Sequence, residues 1–323
     1  MSNPRVLCLG EILYDVLADQ LGRSVENVDS WTSYPGGAPA NVACALVKLG
    51  TPSAFIGAVG EDESGKSLVK LLEEVGVDTD GVQLNSEAPT RQVLVTRKEN
   101  GERLFSGFKD YDTAEFADTR LKAAELPEKL FVNAEFLVIG TLELAYPETG
   151  AAVDRALELA SQHNVKILLD VNWRDVFWKN PDAAPEKIRE LIKKVDFLKL
   201  AKEEAELLFN TYDAGAITYR LNSVEGVLVT DGDKGCAYCL GENEDKFPAF
   251  SVPVVDTTGA GDSFVAGFVH QLLQTGVQNL KDAEIVKKII AYASAAGALT
   301  TLKPGAIASQ PTAEEVENFL KEH

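Results

Sequence analysis

Three short runs constrain this chain more than any other feature: Phe136-Leu137-Val138-Ile139-Gly140, Lys166-Ile167-Leu168-Leu169-Asp170 and Val227-Leu228-Val229-Thr230 are nearly all apolar. A strand with one wet face alternates apolar and polar side chains, whereas a strand buried on both faces need not. Further strand candidates lie at 5–9, 53–59 and 196–200. Helical stretches fall at 38–49, 64–75, 147–163, 185–194, 202–210, 260–275, 281–299 and 312–320. Pro147, Pro185 and Pro311 stand at or just before helix starts, where a missing N–H costs little. The alternation predicts a three-layer α/β/α sandwich around a mostly parallel central sheet.

Two stretches break the alternation. Residues 11–35 and 91–109 read as half-buried strands, the second pair joined by a turn at Glu99–Asn100–Gly101. They predict a small β-sheet lid standing off the main body. Its outer face and edges would expose Trp31, Val93, Leu94 and Val95, a liability unless covered, so a homodimer through the lid is expected. The 323 residues suit one large α/β domain carrying this lid, with no clear linker.

The net charge is -19 and the pI is near 4.6. Such a surface repels nucleic acid and anionic membranes. An anionic ligand must then be held locally, by backbone N–H groups, a helix N-terminus or a metal ion. Cys236 and Cys239 form a C-x-x-C pair, but within a strand they point to opposite faces, and His163, His270 and His323 are the three histidines available. They read as ordinary strand cysteines. No apolar run approaches the ~20 residues of a membrane span, and no signal peptide is visible, so a cytoplasmic location is expected.

The densest motif is Asp256-Thr257-Thr258-Gly259-Ala260-Gly261-Asp262-Ser263-Phe264, between the strand-like Phe250-Ser251-Val252-Pro253-Val254-Val255 and a long apolar helix. Small residues before a helix let N–H groups converge on an anion, aided by the helix dipole. An aspartate in the first turn is poorly suited to bind phosphate. It is well suited to take the proton of a hydroxyl that attacks phosphate. The alternative is a glycine-rich cap that only stabilises the helix.

The longer string decides between them. It resembles the C-terminal signature of the ribokinase-like sugar kinases, the PfkB family. Gly36-Gly37-Ala38-Pro39-Ala40-Asn41-Val42-Ala43 resembles the N-terminal signature, and with Gly10-Glu11-Ile12-Leu13-Tyr14-Asp15 it is most similar to the fructokinase branch. The resemblance covers Gly10 to about Pro311 and implies phosphorylation of a sugar by ATP. It assigns Asp262 as base and Gly259, Ala260 and Gly261 as the anion hole. Asp15, Gly37 and Asn41 would bind sugar hydroxyls. Asn172 and Arg174, in Asp170-Val171-Asn172-Trp173-Arg174, would lie near the phosphates, with Arg174 also facing the sugar. Thr230, Gly232 and Gly235 resemble the nucleotide loop, and Lys303 and Gly305 the loop beside adenine. Glu204 would hold Mg2+ through water, while Asp256 and Thr258 would help hold a monovalent cation such as K+.

The chain departs from the family at three places. Ala201 stands where the magnesium segment usually starts with asparagine. Ser294 replaces a common asparagine. Lys109 stands where fructokinases often carry a lid arginine, so it becomes the substrate-binding candidate there and puts the sugar in question. D-fructose is the expected acceptor; ribose, 2-keto-3-deoxygluconate and a nucleoside compete. A non-catalytic scaffold on the same fold is disfavoured by the intact Gly259-Ala260-Gly261-Asp262.

Gly60-Glu61-Asp62-Glu63-Ser64-Gly65-Lys66-Ser67 matches the Walker A spacing, a rival nucleotide site of another class. Three acidic residues against one lysine argue against it, each repulsion costing on the order of 1–4 kcal/mol at contact range. The stretch reads instead as a structural turn and helix start.

Overall fold

The computed structural model describes residues 3–99 and 103–323. Asn100 and Gly101 of the expected hairpin turn lie outside the described residues. Among those described, thirteen strands form: β1 (Val6–Leu9), β2 (Leu13–Ala18), β3 (Trp31–Gly36), β4 (Ser53–Gly60), β5 (Asp78–Asn85), β6 (Gln92–Arg97), β7 (Arg103–Phe108), β8 (Phe136–Ile139), β9 (Lys166–Asp170), β10 (Phe197–Ala201), β11 (Gly226–Thr230), β12 (Cys236–Leu240) and β13 (Asn243–Phe247).

Nine of them make one sheet in the order β13-β12-β11-β10-β9-β8-β1-β4-β5. The seven from β11 to β5 run parallel, and β12 and β13 add an antiparallel edge. The apolar runs are buried on both faces, as their lack of alternation requires. Val6, Cys8, Val138 and Leu168 face the helices Ala38–Lys48, Ala260–Thr275 and Ala283–Thr300. Leu7, Leu9, Leu137 and Leu169 face Pro147–His163 and Ala184–Ile192. The result is the expected α/β/α sandwich. Cys236 and Cys239 are buried in β12 and pack into opposite layers.

The chain leaves β1 to one side toward β4 and β5, and returns to the other side through β8. Such a reversal of strand order opens a crevice at the carboxyl ends of the strands, where ligands of open α/β sheets bind.

The two stretches that broke the pattern form a separate four-stranded sheet, β3-β2-β6-β7. The strand β2 pairs antiparallel with β3 and parallel with β6, and β6 pairs antiparallel with β7. Its exposure differs from the expectation. Val93 is buried and Trp31 on β3 is half-buried; Leu94 and Val95 are half-buried as well, because a register shift between them re-aims the side chains of β6. The large apolar side chains that face solvent are Leu104 and Phe105 on β7.

A second difference concerns residues 250–255, which are not a strand. Pro248 and Pro253 remove two donors, so the segment runs extended beyond β13 with Val254 and Val255 exposed. Val255 N–H donates to the Thr301 carbonyl at 2.8 Å.

Candidate active site

Asp262 sits in the first turn of Ala260–Thr275, whose N-cap Gly259 has φ +79. A side chain there would be doubly unwelcome: a Cβ would lie 2.7 Å from that of Ala306. Helical bonding begins with Ser263 N–H donating to the Gly259 carbonyl at 2.9 Å. The N–H groups before it precede the ladder, although Ala260's reaches the Thr257 carbonyl at 3.2 Å. The start of the helix thus offers donors for an anion beside a carboxylate.

Asn41 enters from the helix Ala38–Lys48. Its Nδ2 donates to Asp262 Oδ2 at 2.7 Å. Its carbonyl accepts from Gln310 Nε2 at 2.7 Å. Its Oδ1 is buried and has no hydrogen-bond partner among the described residues, which a ligand hydroxyl would supply. Gly37 precedes this helix at φ +104, where a Cβ would strike the Glu11 carbonyl at 2.5 Å. Asp15 on β2 brings Oδ2 to 3.1 Å from the Cβ position of Gly36. The N-terminal and C-terminal motifs therefore meet, with Asp15 on the small sheet at the same end.

Burial is the largest influence on Asp262, and pushes its carboxyl up to about 6. The hydrogen bond from Asn41 opposes it, Asp170 reinforces it, and Lys199 and Arg174 oppose it.

Glu204 lies in the first turn of Lys202–Phe209. Its Oε1 accepts from Trp173 N–H at 2.8 Å and its Oε2 from Ala201 N–H at 2.7 Å. These bonds draw the segment after β9 onto the end of β10. Burial raises Glu204's carboxyl against the pull of Lys199. Asn172 follows at φ +36, and Arg174 is exposed. Both line a small cleft with Glu11, Pro39 and Phe177.

The remaining expected residues surround the crevice less closely. Asp256 is a clasp between two loops: Oδ1 accepts from Thr258 Oγ1 at 2.7 Å and Oδ2 from Gly305 N–H at 2.9 Å. Tyr34 of β3 packs 3.5 Å from the Cβ position of Gly305, so the small sheet touches this clasp. Thr230 ends β11 and Gly232 and Gly235 shape the turn beyond it, where a Cβ on Gly235 would strike the Phe247 carbonyl at 2.0 Å. Lys303 and Lys109 are exposed, Lys109 just past the end of β7.

Two features escaped the sequence reading. Lys199 is a buried lysine inside the apolar run of β10, with Nζ 3.0 Å from Asp170 Oδ1. Glu11 and Glu143 are buried together behind Gly10, and burial pushes both carboxyls up, Glu11 to about 7. A lysine in the middle of the strand candidate at 196–200 was the available signal for Lys199.

The Walker A match is closed by its own side chains. Asp62 caps the helix Glu63–Val75, accepting from Gly65 N–H at 2.7 Å, and also accepts from Thr90 N–H at 2.7 Å. Lys66 points to solvent and pairs with Glu63 at 3.3 Å.

Fold and sequence together define an ATP-dependent carbohydrate kinase. The chain belongs to the pfkB family of carbohydrate kinases, whose pattern matches residues 3–313. It is 35% identical over 323 residues to the probable fructokinase-5 of Arabidopsis thaliana, covering 99% of this chain and 98% of that one. The fructokinase of Xylella fastidiosa with bound ATP superposes with a TM-score of 0.88 at 28% identity, covering 98% of each chain. A double mutant of the Vibrio cholerae O395 fructokinase, with fructose, ADP and potassium ion bound, superposes with a TM-score of 0.85 at 25% identity, covering 99% of each.

Proposed function

We propose that this carbohydrate kinase transfers the γ-phosphoryl group of ATP to the 6-hydroxyl of D-fructose, with Asp262 as general base. The observation that carries the reading is the 2.7 Å bond between Asn41 and Asp262, because it sets a hydroxyl-binding amide against the carboxylate that would take the proton. Asn41 Oδ1 and Asp15 bind sugar hydroxyls, and Gly37 lets the backbone approach them. A hydroxyl on Asp262 faces the helix N-terminus, where Gly259, Ala260 and Gly261 hold the transferring phosphoryl group. Thr230, Gly232, Gly235, Lys303 and Gly305 flank the nucleotide, and Asn172 and Arg174 its phosphates.

The residues fit a divalent cation near Glu204. Glu204 is a half-buried carboxylate beside the buried Asp170–Lys199 pair, and that pair already satisfies its own charge, so Glu204 is the one that would hold a hydrated Mg2+ through water. When bound it neutralises charge on the triphosphate. Asp256, by tying residues 256–258 to Gly305, holds backbone carbonyls of two loops where K+ would sit. The small sheet closes over the sugar and forms a homodimer contact. All four cysteines are free and buried, consistent with a reducing cytoplasm.

Initial rates on a panel of fructose, ribose, 2-keto-3-deoxygluconate and nucleosides, at equal sub-saturating concentration, test the substrate. Fructose is expected to lead. A tenfold faster competitor overturns fructose as the substrate and leaves the kinase class standing.

A further inference from the structure

Lysines are rarely buried, because removing an ammonium from water is costly unless carboxylates replace the lost hydration. Lys199 is nonetheless 6% exposed, in the strand β10. It shares a face with Phe197, the face that packs beneath the helices Ala260–Thr275 and Ala283–Thr300. Its cross-strand partner in register is Asp170 on β9, itself 5% exposed. The ammonium lies 3.0 and 3.2 Å from the two Asp170 oxygens. It also lies 3.4 Å from where a Cβ would stand on Gly261. An apolar pair would fill this space at less cost, so its chemistry needs explaining.

From this placement we infer that Lys199 is an electrostatic positioning residue for phosphoryl transfer: its ammonium sits directly behind the Gly259–Gly261 turn and adds a fixed positive charge to the donors there. Asp170 holds the ammonium in place from the strand below. The groups facing Lys199 from the packed elements are Asp170 on β9, Glu204 on Lys202–Phe209, Asp262 on Ala260–Thr275 and Cys236 on β12. Three are carboxylates, so the ammonium stays charged, and its own ionisation is held up despite burial. Charge spreads over the transferring phosphoryl oxygens in the transition state, and a cation fixed in a dry site stabilises it without reorganising. Ala201, two residues on, shares the Lys199 face and is small enough to leave the site open.

The inference rests on the kinase reading, and the test separates the two. Lys199→Met leaves Asp170 buried and unpaired, so loss of folding would be unsurprising. Lys199→Met with Asp170→Asn removes both charges and keeps the volume. That double variant is expected to keep the wild-type melting temperature within a few degrees. On whichever sugar the wild type phosphorylates best, kcat is expected to fall ~100-fold or more, the scale of losing one transition-state donor, with the sugar KM within about threefold. A purely structural pair predicts the opposite, kcat restored along with stability, and a double variant within threefold of wild-type kcat overturns the inference. A double variant that melts far below the wild type also overturns it, since the pair would then be structural. Wild-type protein inactive on every sugar would instead remove the kinase reading itself.

Discussion

As the proposed base, Asp262 would have to be ionised where burial favours the proton. With its carboxyl at about 6, it is fully ionised only above that value. The rate kcat/KM for the sugar is therefore expected to fall as pH drops through about 6 and to level off above it. A profile flat down to pH ~4.5 would remove Asp262 as the titrating base. Asp262→Asn is expected to cut kcat by ~10²–10⁴-fold. The sign for stability is opposite. The folded carboxyl binds its proton more tightly than the unfolded one, so this group costs stability as pH rises from 3.8 to about 6, and the cost persists at neutral pH. Asp262→Asn should therefore melt no lower than wild type at pH 7.5, in a scan beside the activity assay. Lower stability would mean the loss of activity reports damage.

Among elements, two helix starts look alike in sequence and differ in use. At Glu63–Val75 the cap is satisfied by Asp62, whereas at Ala260–Thr275 the cap is Gly259, with no side-chain oxygen. Lys66→Ala should leave turnover within a few-fold, while Asp62→Ala should cost ~1–2 kcal/mol or more by urea melt, since Asp62 also binds Thr90. A ~100-fold loss of rate in folded Lys66→Ala would restore the phosphate-loop reading of that helix. The small sheet is anchored by Arg91, fully buried, which donates to Asp118 at 2.5 and 2.8 Å and to the Thr113 carbonyl at 2.9 Å. Phe108, Phe116 and Phe177 surround the guanidinium. Asp118→Ala strands that charge, and ~3–5 kcal/mol should be lost in the urea midpoint. The sequence showed those elements whose burial is one-sided by nature or total. It hid β5 and β13, edge strands rich in Asp, Glu and Asn in which few apolar side chains, such as Val82 and Phe247, reach the core. It overread residues 250–255, where valines and phenylalanine promised a strand that Pro253, with Pro248 just before, denies. Of the site, motif residues were legible as local strings. Lys199 was not, because its meaning depends on which strand lies beside it and which helix above.

On the scale of the whole molecule, β7 presents Leu104 and Phe105 to solvent on a sheet that also carries Asp15. A homodimer through this sheet would cover them, and light scattering at micromolar concentration should return twice the 34.9 kDa chain mass. A single monomeric species would leave the sheet as a flap on one chain.

The bond from Asn41 to Asp262 spans 221 residues of sequence, and the bond from Gln310 to Asn41 spans 269. During synthesis the first motif emerges long before the second, at ~5–20 residues per second. A nascent chain can build the early strands before the proposed base Asp262 exists, and Gln310, which braces Asn41, follows later still. On the proposed reading, a chain terminated before Asp262 would be inert rather than a wasteful consumer of ATP.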